Sequence, residues 1–406
     1  MHRLFTIVFS VVLLLLGSAQ GTWAQKGKVY DLGHYSGGTW AELHSVNNLG
    51  VAMGWGDVAE GDVRMVGVPV FGPSAGNWFK CGKTSGVSTN DDWVDEVGGI
   101  SDTGLLVGSV KGSNGCAQAY AWTPNHTGIS LGALSGDCGS AAMTVNHTGT
   151  LIVGLSYRWS DESTGPSAWV TPVAWTPETE WRDGRSMATW KIHKLPTAGL
   201  EQLGAVWPGV TLNWWGGYGV NDLGQIVGDA WSDNYDEIAV VWNPIQIGKD
   251  WEVQQLPHRS SFPNVYNHKY TEALSINNRG EITGDANVGD GWCVDDVCTT
   301  LPALWKLDSP SAHTWKLIEL TPLSGTRTGW DIAWGINDFG DIVGVSNDAE
   351  GNSLATRWTT SNPTKPKVLG FPGDWSQAFQ VNNFGIAVGE YGVGDGPQQA
   401  AAVAIH

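Results

Sequence analysis

The chain has 406 residues and a formal net charge of −18, with only 15% charged residues against the ~25% usual in soluble domains. Nucleic acid and anionic membrane surfaces repel so acidic a chain, which excludes both as partners and leaves cations, neutral glycans or basic proteins. Its 55 glycines and 24 tryptophans, with few lysines and glutamates, disfavour helix and favour short strands joined by tight turns.

In chain order, Met1-His2-Arg3 is positively charged, Leu4 to Leu16 is apolar, and Gly17 to Ala24 supplies small residues. This pattern predicts a signal peptide over residues 1–24, cut after Ala24 or Ala19, and it is short for a membrane anchor. No later stretch approaches the ~18 apolar residues of a membrane span. Residues 25–406 are therefore expected to be a secreted (extracellular or periplasmic), monomeric, single domain.

One hairpin pattern then recurs seven times: an apolar residue, Asn or Ser, two variable positions, Gly, and an apolar stretch ending in a second Gly. The copies run Val46-Asn47 to Gly54, Ile100-Ser101 to Gly108, Val145-Asn146 to Gly154, Val220-Asn221 to Gly228, Ile276-Asn277 to Gly284, Ile336-Asn337 to Gly344 and Val381-Asn382 to Gly389. Asn can bond the backbone two residues on, and the first Gly suits the left-handed position that closes a type I turn with a bulge. Each copy therefore joins two antiparallel strands. A third strand ends in Trp (Trp122, Trp175, Trp242, Trp305, Trp358), and a short fourth, such as Ile129–Leu131 or Val253–Leu256, precedes the next copy.

Four strands repeated seven times predict an all-β, seven-bladed β-propeller. The chain starts on a fourth-strand segment, Lys28–Gly33, and stops on a third, Ala400–Ile405, so the N-terminal strand is expected to close the last blade. The asparagine–glycine hairpin, the Ala-aromatic-apolar-Trp strand and the Asp31-Leu32-Gly33 connector resemble the HAF family of extracellular repeats. The likeness spans nearly all of the mature chain but lacks the histidine of that motif, replaced by Gln118 or Ile238. It implies an exported β-repeat protein and brings no catalytic residues.

Six residues before the hairpin's apolar residue, or next to that position, six of the seven blades place a large aromatic (Trp40, Trp93, Trp214, Trp215, Tyr270, Trp330 and Trp375), blade 3 having Gly139 instead. Carboxylates follow closely at Glu42, Asp95, Glu96, Glu272 and Asp331. Aromatic faces pack against sugar C–H surfaces and carboxylates accept from hydroxyls, so these residues are candidate ligand contacts at an axial mouth. Equally, bulky indoles can serve as wedges between blades. On the same face, acidic loops such as the one holding Asp285, Asn287 and Asp290 offer oxygen ligands to calcium without matching an EF-hand; no other cofactor is expected.

The strings Gly72–Gly76 and Gly128–Gly132 match the nucleophile elbow but precede no helical pattern, and the ten histidines lack metal spacing. Paired carboxylates for glycoside cleavage stay open among the same five acids. Five cysteines leave one unpaired; Cys293 and Cys298 share a loop, and Cys116 and Cys138 fall on one face of adjacent blades, leaving Cys81. The leading expectation is a secreted, non-catalytic module that binds carbohydrate or a cell-surface partner. A carbohydrate-active hydrolase or lyase and a purely structural repeat protein are the alternatives.

Overall fold

The computed structural model describes residues 26–58, 63–80, 96–112, 114–123, 128–159, 168–182, 185–197, 206–207, 219–232, 237–258, 271–287, 300–309, 313–326 and 329–406. They form seven antiparallel sheets arranged as a seven-bladed β-propeller. From the axis outward, blade 1 is Ala41–Val46, Val51–Asp57, Val63–Pro69 and Phe79–Lys80, and blade 2 is Glu96–Ile100, Leu106–Lys111, Ala117–Trp122 and Gly128–Ser130. Blade 3 is Gly139–Val145, Ile152–Trp159, Ala168–Arg182 and Arg185–Lys194. In blade 4 the inner position is held by two short pieces, Val206–Trp207 and Gly219–Val220, both paired with Ile226–Ser232; Glu237–Gln246 and Asp250–Gln255 follow.

Blade 5 is Thr271–Ile276, Ile282–Asn287, Thr300–Ser309 and Thr314–Glu319, and blade 6 is Ile332–Ile336, Asp341–Asn347, Ser353–Thr359 and Asn362–Val368. Blade 7 is Trp375–Val381, Ile386–Gly392 and Gln399–Ala404, with Val29–Gly33 as its outer strand. That strand pairs Val29 with Val403 and Tyr30 with Ala402, so the N-terminal segment closes the ring as the sequence predicts.

The seven hairpins share one geometry. In each, the first Gly has φ between 69° and 83° and donates its N–H to the carbonyl of the Asn or Ser three residues back. Only glycine adopts that left-handed conformation without strain. The Asn carboxamide oxygen accepts from the backbone after the turn, as Asn382 does from Phe384 and Ile386. The longer third copy keeps the turn and places its extra residue after it: Asn146 N–H donates to Leu151 O, where the first copy has Asn47 N–H donating to Val51 O across a turn one residue shorter.

A second feature was not visible as such in the pattern. In six blades the ladder between the first and second strands slips near its middle, at Leu43/Ser45, Val97/Ile100, Ala142/Thr144, Ala273/Ser275, Ala333/Gly335 and Ala378/Gln380. Such a β-bulge re-aims a side chain. It also explains the second motif glycine: a Cβ at Gly54, Gly284, Gly344 or Gly389 would collide with the inner-strand carbonyl of Glu42, Glu272, Ile332 or Gln377.

Packing lies between blades. Seven clusters of buried side chains each join one pair of neighbours, including Met53 and Met65 with Leu106 and Trp122, and Leu43 and Val68 with Val388 and Ala402. The third-strand tryptophans are the wedges: Trp122, Trp175, Trp305 and Trp358 are fully buried. Trp242, Trp305 and Trp358 donate across the interface to Pro196, Pro257 and Thr321 carbonyls at 2.7–2.8 Å. Three third-strand N–H groups cross to the next inner strand, Ala119 to Ser140, Ala239 to Thr271 and Ala355 to Ser376.

Candidate functional site

The propeller has two unlike faces. The hairpin face carries the Asn–Gly turns; the loop face carries the connections that enter each inner strand. Along the axis between them, the bulges turn His44, Met143, Leu274, Trp334 and Phe379 into the channel, with Gly98 and Gly99 in blade 2. Trp334 and Phe379 pack with Leu274, Ile332 and Val345 into an apolar plug. About 90 Å³ remains open, room for a file of waters and well short of the ~300 Å³ of a small-molecule site. The bore as lined by the described residues therefore leaves a ligand larger than water room only at a mouth.

At the loop-face mouth three of the expected aromatics are described: Trp330, Trp375 and Trp40. They occupy equivalent positions on consecutive blades 6, 7 and 1, and each is half-buried. An aspartate fixes the backbone beside every one. Asp57 accepts from Thr39 and Trp40 N–H at 2.6 and 2.9 Å. Asp374 accepts from Gly394 N–H at 2.8 Å. Asp331 accepts from Ser346 Oγ and from Asn347 N–H at 2.9 Å. Trp330 rests on the apolar plug, and the Trp375 indole covers Gly392 so closely that a Cβ there would strike it. These indoles are thus partly wedges and partly surface.

The expected carboxylates divide. Asp331 is fully buried in its loop-pinning role, with burial raising its pKa against the hydrogen bonds from Ser346 and Asn347. Glu272 is also buried, opposite Asp285 in the ladder, with Asp229 and Glu237 of blade 4 nearby. Burial, then the Glu272 charge, drives Glu237 and Asp285 well above the ordinary carboxylate value. Glu96 begins the inner strand of blade 2 opposite Ser109. Trp93, Trp214, Trp215, Tyr270, Asp95, Asp290, Cys81, Cys293 and Cys298 lie outside the described residues, as does the signal segment; Asn287 ends a strand. Among the described residues no three His, Cys, Asp or Glu side chains could hold a metal ion.

Glu42 leads to a group that residue spacing alone did not single out. Its Oε1 stands 3.0 Å from His44 Nε2, and His44 stacks on Phe379 with ring centroids 4.3 Å apart. From blade 7, Glu390 faces both, held by Gln377 Nε2 at 2.6 Å. Burial would raise Glu42, but the imidazole outweighs it and holds the carboxyl below its usual range. Burial disfavours the His44 cation, yet Glu42 and then Glu390 outweigh it and raise the imidazole. Burial and the neighbouring Glu42 charge push Glu390 up to about 7. Two carboxyls with split affinities beside a histidine are acid–base components, but Glu390 is only 1% exposed.

Cys116 and Cys138 form a disulfide with Cα atoms 6.0 Å apart, joining blades 2 and 3 on the loop face as strand order predicts. No helix among the described residues is long and apolar enough to cross a membrane.

Four-stranded blades in a closed ring, with the first strand completing the last blade, define the class as a seven-bladed β-propeller. No protein-family model matches the chain, and no curated protein matches it. Among solved structures, it is similar to the β-propeller domain of the Trilobed protease from Pyrococcus furiosus, at 10% identity and a TM-score of 0.51 over 90% of this chain and 95% of that one. That domain is described as having an open velcro topology; here the first and last strands are paired. Virginiamycin B lyase from Staphylococcus aureus aligns at 10% identity and a TM-score of 0.47, covering 93% of this chain and 99% of that one. An ulvan lyase gives 10% identity and a TM-score of 0.46, with 93% and 96% covered. Likeness at this level shows the fold alone.

Proposed function

We propose that this is a secreted, non-catalytic protein that binds carbohydrate at its loop-face mouth over blades 6, 7 and 1. The observation that carries the reading is the set of three half-buried indoles, Trp330, Trp375 and Trp40, on consecutive blades, each beside an aspartate-pinned backbone. Rigid aromatic faces lose little freedom on binding and stack well on sugar C–H surfaces. Secretion is supported by the signal-like start, the Cys116–Cys138 disulfide and the likeness to HAF repeats.

The test is a glycan array with the wild-type chain and the Trp330→Ala and Trp375→Ala variants, read beside their melting temperatures. Loss of about 1–3 kcal/mol in affinity is expected on each truncation. Lowered stability with affinity unchanged would assign the indoles to wedging alone. A second reading, a carbohydrate-active enzyme, draws on the split pKa values of Glu42 and Glu390 beside His44. Release of reducing ends or unsaturated products from a bound glycan would favour it.

A further inference from the structure

The hairpin face presents a feature that glycan binding at the opposite mouth does not use. Among the described residues eight large apolar side chains are strongly exposed, and six of them, Leu49, Leu223, Ile245, Ile247, Phe339 and Phe384, lie on this face. Scattered single hydrophobics on a surface need no explanation, but a cluster on one face marks an interaction site. Phe339, Phe384 and Leu49 hold the same turn position in blades 6, 7 and 1 and are 70%, 60% and 66% exposed. Their hairpins are bonded edge to edge: Asp338 N–H reaches Asn383 Oδ1 at 2.9 Å, and Asn383 N–H reaches Asn48 Oδ1 at 2.8 Å. The three side chains therefore form one crescent on a fixed mount. Across the axis, Leu223 is joined by Ile247, which touches the adjacent Gly224 position.

Inside the crescent, the second turn positions make a polar ring around the axis. Three carboxylates, Asp102, Asp222 and Asp338, alternate with Asn48, His147, Asn278 and Asn383, and all seven are half-exposed. His147 lies 3.7 Å from Asp102, and against burial the charges of Asp222 and Asp338 add to that of Asp102 in raising the imidazole; the hydrogen bonds these two carboxylates accept come from amide and backbone groups. A hub bearing three carboxylates, flanked by apolar turn tips on blades 6, 7, 1 and 4 and by Arg279 of blade 5, which is paired with Glu281, selects its partner by charge. Nucleic acid and anionic lipid are repelled, and a second copy of a chain carrying −18 meets like charge with like.

We propose that the hairpin face is a docking surface for a protein segment that presents a lysine or arginine at the propeller axis, flanked by apolar side chains that cover the crescent. The cation answers the three aspartates, and the apolar flanks bury Phe339, Phe384 and Leu49. The rigid hairpin ring means the surface is preformed, so little ordering opposes the association.

A phage-displayed random peptide library panned on the immobilised full-length chain tests this, with the Phe339→Ser/Phe384→Ser double variant as the counter-target. Both positions are exposed turn tips, so the variant should keep the wild-type melting temperature. The expected result is enrichment of peptides with Lys or Arg beside apolar residues. A synthetic consensus peptide should lose at least about tenfold in affinity on the double variant, the scale of one hot-spot contact. It should also weaken severalfold as salt rises from about 50 to about 500 mM, because the half-exposed ring is screened. Absence of enrichment over the unselected library overturns the proposal, as do acidic or neutral winners, or binding indifferent to both variant and salt. Sedimentation showing a wild-type dimer that the double variant dissociates would assign the face to a second copy instead, and overturns it equally.

Discussion

The two faces of this propeller are built from the same seven repeats and follow opposite rules. On the hairpin face every blade places its turn glycine at positive φ, and the second turn positions bond onward around the axis from Asn48 to Asp102 and eventually from Asn383 back to Asn48. On the loop face equivalent positions hold Glu42, Ala141, Glu272, Ile332 and Gln377, each with a different environment. Where sequence repeats, it maintains the ring; where it diverges, it sets chemistry. The buried carboxyls between blades 4 and 5, the Glu42–His44–Glu390 group between blades 7 and 1, and the three mounted indoles all arise at divergent positions.

The sharpest way to break the comparison is to open the ring, since both faces depend on closure. Deleting Lys28–Gly33 strips the outer strand from blade 7 and uncovers the clusters against which Tyr30, Leu32 and Val29 pack. Burial of three such half-covered side chains and their ladder amounts to about 5 kcal/mol, so the melting temperature should fall by roughly 6 °C in a domain of this size. A scanning-calorimetry trace that does not move would show that blade 7 holds without its strap.

The hairpins and the closure were legible because their determinants are local. A turn that needs φ above zero needs glycine, an Asx turn needs asparagine, and a fourth-strand segment at the start with a third at the end leaves one arrangement. The Cys116–Cys138 bond followed from strand order alone. The axial lining was not legible, because a bulge is a slip between two strands, and its outcome, Phe379 or Trp334 turned inward, depends on both partners. A signal did exist: the second glycine of each repeat marks where an inner-strand carbonyl presses, which locates the bulge just beyond. Glu390 was missed for a different reason. Its partner Glu42 is remote in the chain and meets it only because the ring closes.

A more local test separates the hairpins from one another. Asn382 is buried, accepts two backbone hydrogens and donates Nδ2 to Asn47 O of the neighbouring blade. Asn146 accepts two as well, but its Nδ2 goes to Thr148 and Thr150 in its own turn. Asn382→Ala should cost about 3 kcal/mol and exceed Asn146→Ala by about 1 kcal/mol, because Thr148 and Thr150 are exposed and water can replace Asn146 at their hydroxyls, whereas Asn47 is buried and its carbonyl would be left without this partner. Urea denaturation of both variants checks it; equal losses would mean that the onward bonds add nothing to the ring.

The loop-face side of the comparison can be sharpened by titration. Glu390 has a folded pKa of about 7, above its ordinary 4.5, so the folded state holds a proton there that the unfolded chain releases. For an acid raised in this way, the stabilisation is present at low pH and is lost as pH climbs from about 4.5 through about 7. Glu42 works the other way: its carboxyl is held below the usual range, so its contribution is present above the unfolded pKa and lost as pH falls through the folded one. His44, raised by both carboxyls, adds stability below its unfolded pKa that disappears as pH rises through its folded value. Glu390→Gln keeps an oxygen for Gln377 Nε2 but cannot ionise. The variant should gain on the wild type between pH 5 and pH 8 by about 2–3 kcal/mol, since most of the shift from 4.5 to about 7 falls in that window and each tenfold change in proton affinity between the folded and unfolded chain is worth about 1.4 kcal/mol. Melting temperatures collected from pH 5 to 8 read the difference directly. Parallel curves for the two proteins would show that Glu390 ionises without cost, and that the buried group between blades 7 and 1 is already balanced by His44.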